Sequence, residues 1–144
     1  MLQIITDTAS DITLDQAKQL GIHIVPLNIQ FPDGPCPQET EADFQLFYER
    51  LIKANELPMT SQPTPDQYLH YFEEAKASGD EVLVLTLSSG LSGTVNAANT
   101  AKDLCGYERI YIVDSRQAIA AQRILVEQAV KLRNENISTT EIMK

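Results

Sequence analysis

Val82-Leu83-Val84-Leu85-Thr86-Leu87, followed by Ser88-Ser89-Gly90-Leu91-Ser92-Gly93-Thr94, is the stretch that decides the fold. A run this apolar suits a strand covered on both faces, as in parallel sheets. A glycine-serine turn follows it, and a helical pattern continues from Thr94 to about Leu104. The same alternation extends upstream. Residues 2–6 form a short apolar run broken by Asp7-Thr8. Thr13 with Gln16 makes a capping box for a helix over 13–20, and Gly21 stands where a helix C-terminus favours glycine. Residues 22–31 read as one further strand, bent or placed at an edge by Pro26. Residues 32–38 are a loop dense in Pro and Gly.

Phe44, Phe47, Tyr48, Leu51 and Ile52 recur at helical spacing and predict a helix with one apolar face. Residues 60–65 read as a stiff polar loop. Thr64 then caps a helix, with Pro65 at its first position, Gln67 closing the box and Gly79 stopping it. Downstream, residues 109–113 form a strand broken by Asp114-Ser115. Ala121, Ile124, Leu125, Gln128, Ala129 and Leu132 give the last long helix its apolar stripe. Strands alternating with helices predict an α/β fold, a mostly parallel sheet flanked by helices in one domain over 1–144. Ser138 and Glu141 make a capping box with three residues after it. That is either the start of a helix continued in a longer chain or a frayed tail.

Composition excludes several classes. Lys plus Arg number 11 and Asp plus Glu 20, a net charge of −9. A basic footprint for nucleic acid is missing. No apolar run approaches the roughly 20 residues that span a bilayer, and no secretory signal stands at the start of the sequence. Cys36 and Cys105 are isolated, without metal-type spacing, which fits a reducing cytoplasm. Nothing in the residues implies a cofactor.

Three breaks fall at carboxyl ends of strands, where ligands of parallel sheets sit: Asp7-Thr8, residues 88–93 and Asp114-Ser115. Gly90 and Gly93 permit tight turns, Ser88, Ser89, Ser92 and Thr94 offer hydroxyls, and free N–H groups at a helix start favour an anion. These describe a seat for a carboxylate or phosphate; the alternative is a plain helix cap. The segment is neither a P-loop nor a hydrolase elbow, since it lacks Gly-Lys-Ser/Thr and the G-x-S-x-G spacing. Thr60, Ser61 and Gln62 could face a ligand, although by composition their loop reads as a simple connection. Asp7 and Asp114 could hold a cation or act as acid and base; more simply, they cap helices or satisfy loop amides. Ser89 and Gly93 complete the candidates. A serine hydrolase with Ser89 or Ser92 as nucleophile, or a phosphate- or nucleotide-binding module, is the alternative function. His23 and His70 sit in unpromising contexts for a hydrolase base.

Taken in order, Ile5-Thr6-Asp7-Thr8-Ala9-Ser10-Asp11, Ile24-Val25-Pro26-Leu27, Thr60-Ser61-Gln62-Pro63, residues 88–94 and Val113-Asp114-Ser115 resemble the DegV family, the fatty-acid-binding subunits of bacterial fatty acid kinase. The resemblance covers almost the whole chain. It implies two α/β domains with a long-chain fatty acid in a tunnel between them, this chain being the N-terminal one. It also implies a cytoplasmic carrier rather than an enzyme, which presents the acyl carboxylate to a separate ATP-dependent kinase subunit. The acyl phosphate then feeds phospholipid synthesis. In the family, the residues at the positions of Thr60 and Ser92 hydrogen-bond the carboxylate.

Overall fold

Apolar runs bounded by capping boxes dictate the order of elements. The computed structural model describes residues 1–144. Its elements are β1 (Leu2–Asp7), a 3₁₀ turn (Thr8–Ser10), α1 (Leu14–Leu20), β2 (His23–Val25), β3 (Asn28–Phe31), β4 (Gly34–Pro35) and α2 (Glu41–Lys53). There follow β5 (Met59–Ser61), α3 (Pro65–Ser78), β6 (Glu81–Thr86), α4 (Thr94–Cys105), β7 (Ile110–Asp114), α5 (Ile119–Asn134) and α6 (Thr139–Ile142).

Four strands make a parallel sheet in the order β2-β1-β6-β7, with Ile5 opposite His23 and Val84, and Val84 opposite Ile112. Side chains alternate across it. Ile5, Val82, Val84 and Ile110 pack on one face against Tyr68, Phe72 and Ala75 of α3 and Ala97, Ala98 and Ala101 of α4. Ile4, Leu83 and Leu85 pack on the other against Ala17 of α1 and Val126, Ala129 and Val130 of α5. Because both faces are covered, β6 has no polar alternation to keep, and each buried Val, Leu or Ile contributes roughly 1.5–3 kcal/mol. The α/β class and the parallel sheet therefore stand as the sequence predicts.

The helix starts do too. Thr13 Oγ1 accepts from Gln16 N at 3.2 Å while Thr13 N donates to Gln16 Oε1 at 3.0 Å. Thr64 N likewise donates to Gln67 Oε1 at 2.8 Å, with Pro65 at the first helical position.

Four expectations need correction. Residues 22–31 are two strands, β2 and β3, in different sheets: the chain turns at Pro26, and β3 joins an antiparallel sheet ordered β4-β3-β5. The start of residues 60–65 is not loop, since Thr60 and Ser61 lie in β5, with Thr60 opposite Ile29. That strand is exposed throughout, so it carries no burial pattern to betray it. Helix α2 forms as predicted, yet none of its residues is buried; Tyr48 and Ile52 are 61% and 84% exposed. In α5 the stripe is out of phase: Gln122, Val126, Ala129 and Val130 are buried, whereas Ile124 and Leu125 are exposed.

Candidate functional site

All four parallel strands end at one edge of the sheet, and the three sequence breaks meet there. Most amides of the turn after β6 are already engaged. Ser88 N donates to Gln117 O at 3.0 Å, and Leu91 N and Ser92 N to Ser88 O at 3.0 and 3.2 Å. Ser89 N donates to Asp114 Oδ1 at 3.2 Å and Gly90 N to Ser88 Oγ at 3.2 Å. Thr94 N donates to Ser92 Oγ at 3.2 Å, and the amides of Asn96 and Ala97 go to Gly93 O. The amides of Gly93 and Val95 donate to no protein atom. They stand at the start of α4, where the helix dipole is positive.

Ser92 Oγ lies 2.8 Å from the hydroxyl of the buried Thr94. When Thr94 donates in that pair, the Ser92 proton is left to point at a ligand.

The Thr60-Ser61-Gln62-Pro63 segment comes to the same place. Thr60 and Ser61 are exposed, and their hydroxyls make no hydrogen bond within the protein. Asn28 Nδ2 donates to Gln62 O at 3.0 Å, which pins the end of β5. The Gln62 carboxamide then lies against Gly93: a Cβ at position 93 would fall 2.7 Å from Gln62 Cδ. The two segments thus touch through a glycine that no larger residue could replace without displacement.

Asp7 is fully buried. Its Oδ2 accepts from Leu87 N at 2.7 Å, and its Oδ1 from Ala9 N at 3.0 Å and Gln122 Nε2 at 3.1 Å. Burial pushes its carboxyl above the ordinary range, although Leu87, Gln122 and Ala9 pull the other way. Asp114 is half-buried and accepts from Ser89 N and, at 2.9 Å, Arg116 N. The Ser89 side chain, then the Arg116 amide, hold its carboxyl below the usual range. Strand β6 separates β1 from β7, and each carboxylate grips loop amides. Both carboxylates thus accept hydrogen bonds from amides of the loops at the strand ends.

Neither histidine hydrogen-bonds a serine. The His23 ring lies 4.7 Å from that of Tyr71, and burial lowers its pKa. His70 Nε2 sits 3.5 Å from Glu74. Gln122 went unnoticed in the sequence, although it falls in helical phase with Val126, Ala129 and Val130; a polar residue on such a stripe marks a buried hydrogen bond. No helix is long and apolar enough to cross a membrane.

The sequence profile of the family described as "Uncharacterised protein, DegV family" matches residues 1–144. The chain belongs to the DegV family. Protein DegV of Bacillus subtilis is 34% identical over 140 residues, covering 97% of this chain and 50% of that protein. A DegV domain-containing protein of Caldanaerobacter subterraneus is 32% identical over 142 residues, covering 99% and 50%. The chain thus spans about half the length of the curated relatives it matches. Among solved structures, a stearic acid-binding protein of Eubacterium ventriosum superposes with a TM-score of 0.86 at 27% identity, over 99% of this chain and 51% of that one. DegV of Bacillus subtilis, described as a fatty acid binding protein, superposes with a TM-score of 0.83 at 31% identity, over 99% and 51%. In DegV terms, the edge where β5 meets the turn before α4 is the candidate site of this chain.

Proposed function

We propose that this chain binds a long-chain fatty acid, with Thr60 and Ser92 at its carboxylate, and presents that carboxylate to a separate kinase subunit. The observation that carries the reading is the contact of Gly93 with Gln62. It brings the end of β5 against a turn whose Gly93 and Val95 amides donate to nothing else in the protein, which supports the reading.

A carboxylate taken out of water beside an apolar chain needs donors, because burying it unpaired is costly. Charge-assisted hydrogen bonds contribute roughly 1.5–3 kcal/mol each, and the acyl chain about 0.8 kcal/mol per buried CH₂. Affinity then comes from the tail and orientation from the head. Leu91, 71% exposed, precedes Ser92 in the turn and offers apolar surface to the first methylenes. The net charge of −9 opposes long-range attraction of an anion, so recognition is local. Solved relatives described as stearic acid-binding and fatty acid binding support the same reading.

On this reading residues 1–144 are one α/β domain, the N-terminal half of a two-domain cytoplasmic carrier that breaks no bond itself. The kinase subunit transfers the γ-phosphoryl group of ATP to a carboxylate oxygen, giving an acyl phosphate and ADP; the family resemblance supports this step.

Mass spectrometry of organic extracts from the purified protein tests the ligand, with a co-purified fatty acid expected. Thr60→Val combined with Ser92→Ala tests the seat. Acyl phosphate formation with the kinase should fall about tenfold or more, with a smaller loss of acyl binding. Unchanged transfer overturns these assignments, and labelling of Ser92 by a fluorophosphonate probe would favour the hydrolase instead.

A further inference from the structure

The turn that carries Ser92 is restrained where it leaves β6. Leu87 N donates to Asp7 Oδ2 at 2.7 Å, Ser88 N to Gln117 O at 3.0 Å and Ser89 N to Asp114 Oδ1 at 3.2 Å. Of these restraints, the first is made by a fully buried carboxylate. The other Asp7 oxygen accepts from Ala9 N and Gln122 Nε2. Gln122 Nε2 also donates to Thr6 Oγ1 at 3.2 Å, and that hydroxyl donates to Leu85 O at 2.8 Å. One carboxylate thereby ties β1, the end of β6 and α5 together.

Capping the 3₁₀ turn needs only the bond to Ala9 N. A Ser or Thr would supply it without burying a charge. The reach of the longer carboxylate to Leu87 N is what a smaller cap lacks.

We propose that Asp7 is a positioning residue for the head-group seat. By fixing Leu87 N it sets the direction in which the turn departs from β6, and with it the placement of Ser92 and of the Gly93 and Val95 amides. The inference rests on the fatty-acid reading above and adds to it a residue that never touches the ligand. A seat held loosely by about 1 Å loses orientation before it loses the apolar contacts of the tail.

The test compares hexadecanoic acid with hexadecan-1-ol, which share a tail and differ in the head. Asp7→Ser keeps a hydroxyl cap for Ala9 N and is too short to reach Leu87 N. Asp7→Asn keeps an acceptor for Leu87 N. Asp7→Ser should lower the acid-to-alcohol affinity ratio about tenfold, with alcohol affinity within about twofold and Asp7→Asn within about threefold of wild type. A wild-type ratio in Asp7→Ser, or equal loss of acid and alcohol affinity, overturns the proposal. Should Asp7→Ser not fold, Asp7→Asn decides: an unprotected Leu87 amide in hydrogen exchange, with the acid preference intact, also overturns it. A wild-type protein that binds acid and alcohol alike sinks the fatty-acid reading itself, and the positioning role with it.

Discussion

Gly93 lies against the Gln62 side chain so closely that a Cβ there would sit 2.7 Å from Gln62 Cδ and 2.9 Å from Nε2. The backbone at Gly93, with φ −82 and ψ 13, is open to any residue, so glycine is required for space and not for conformation. Gly93→Ala should leave stability within about 1 kcal/mol of wild type, because the exposed Gln62 side chain can swing away. Binding of a labelled fatty acid should weaken roughly tenfold, since the displaced Gln62 carboxamide no longer lies against the turn and crowds the seat. Adding Gln62→Ala should recover much of the loss, as coupled neighbours do in a double-mutant cycle. Wild-type binding by Gly93→Ala alone would show that the contact does not matter to the ligand.

A second expectation concerns Tyr68, fully buried in the core with a hydroxyl that has no hydrogen-bond partner. Burial, and then the Asp7 carboxylate, push its pKa up, so the hydroxyl stays neutral. An unsatisfied buried polar group costs about 1–3 kcal/mol. Tyr68→Phe removes the oxygen and leaves the ring packed near Phe72. Urea unfolding should find the variant as stable as wild type or more so. A loss above about 1 kcal/mol would mean that the hydroxyl is satisfied in solution.

The pH dependence of Asp7 follows from its burial. Its carboxyl is raised in the folded protein, so it holds a proton more tightly there than in the unfolded chain. Its contribution to stability is full below the ordinary value of 3.8 and is lost as pH rises through the native value. Asp33, Asp43, Asp80, Glu81 and Asp114 are shifted down and slope the opposite way, but they are common to wild type and Asp7→Asn and cancel in the difference. The advantage of wild type over Asp7→Asn should therefore be greatest under acid conditions and shrink as pH rises. A difference that grows with pH would mean that the donors at Leu87, Gln122 and Ala9 outweigh desolvation.

What the sequence made legible shares one physical origin. The strands of the parallel sheet and the starts of α1 and α3 are written in local patterns: continuous apolar runs, and Thr with Gln three residues on. The turn at 88–94 was readable as the break between such a strand and a helix because Gly and Ser stand there. Three features were not readable. β5 is stabilised by pairing with β3, a contact distant in sequence, and leaves no burial pattern of its own. The apolar face of α2 is periodic, but periodicity says nothing of what covers it, and none of its residues is buried here. Asp7 and Asp114 gave no sign of whether they would face ligand or backbone, because that depends on register: Thr6 opposite Leu85 and Thr86 opposite Asp114.

Helix α5 turns a further misreading, that of its buried face, into a measurement. Counting apolar residues selects Ile124 and Leu125, but the helix is rotated so that Gln122 reaches Asp7 and Thr6. Two buried hydrogen bonds thus fix a phase that hydrophobicity alone does not, and Ile124 is left 65% exposed while Val126 is fully buried. Ile124→Lys should change stability by no more than about 0.5 kcal/mol. Val126→Ala should cost about 2 kcal/mol, from lost burial and the cavity left behind. Gln122→Leu should cost more than its gain in apolar burial returns, because Asp7 then loses a donor while remaining buried. Urea unfolding of the three variants orders them. Ile124→Lys proving the most damaging would return the buried face to the stripe that the sequence suggests.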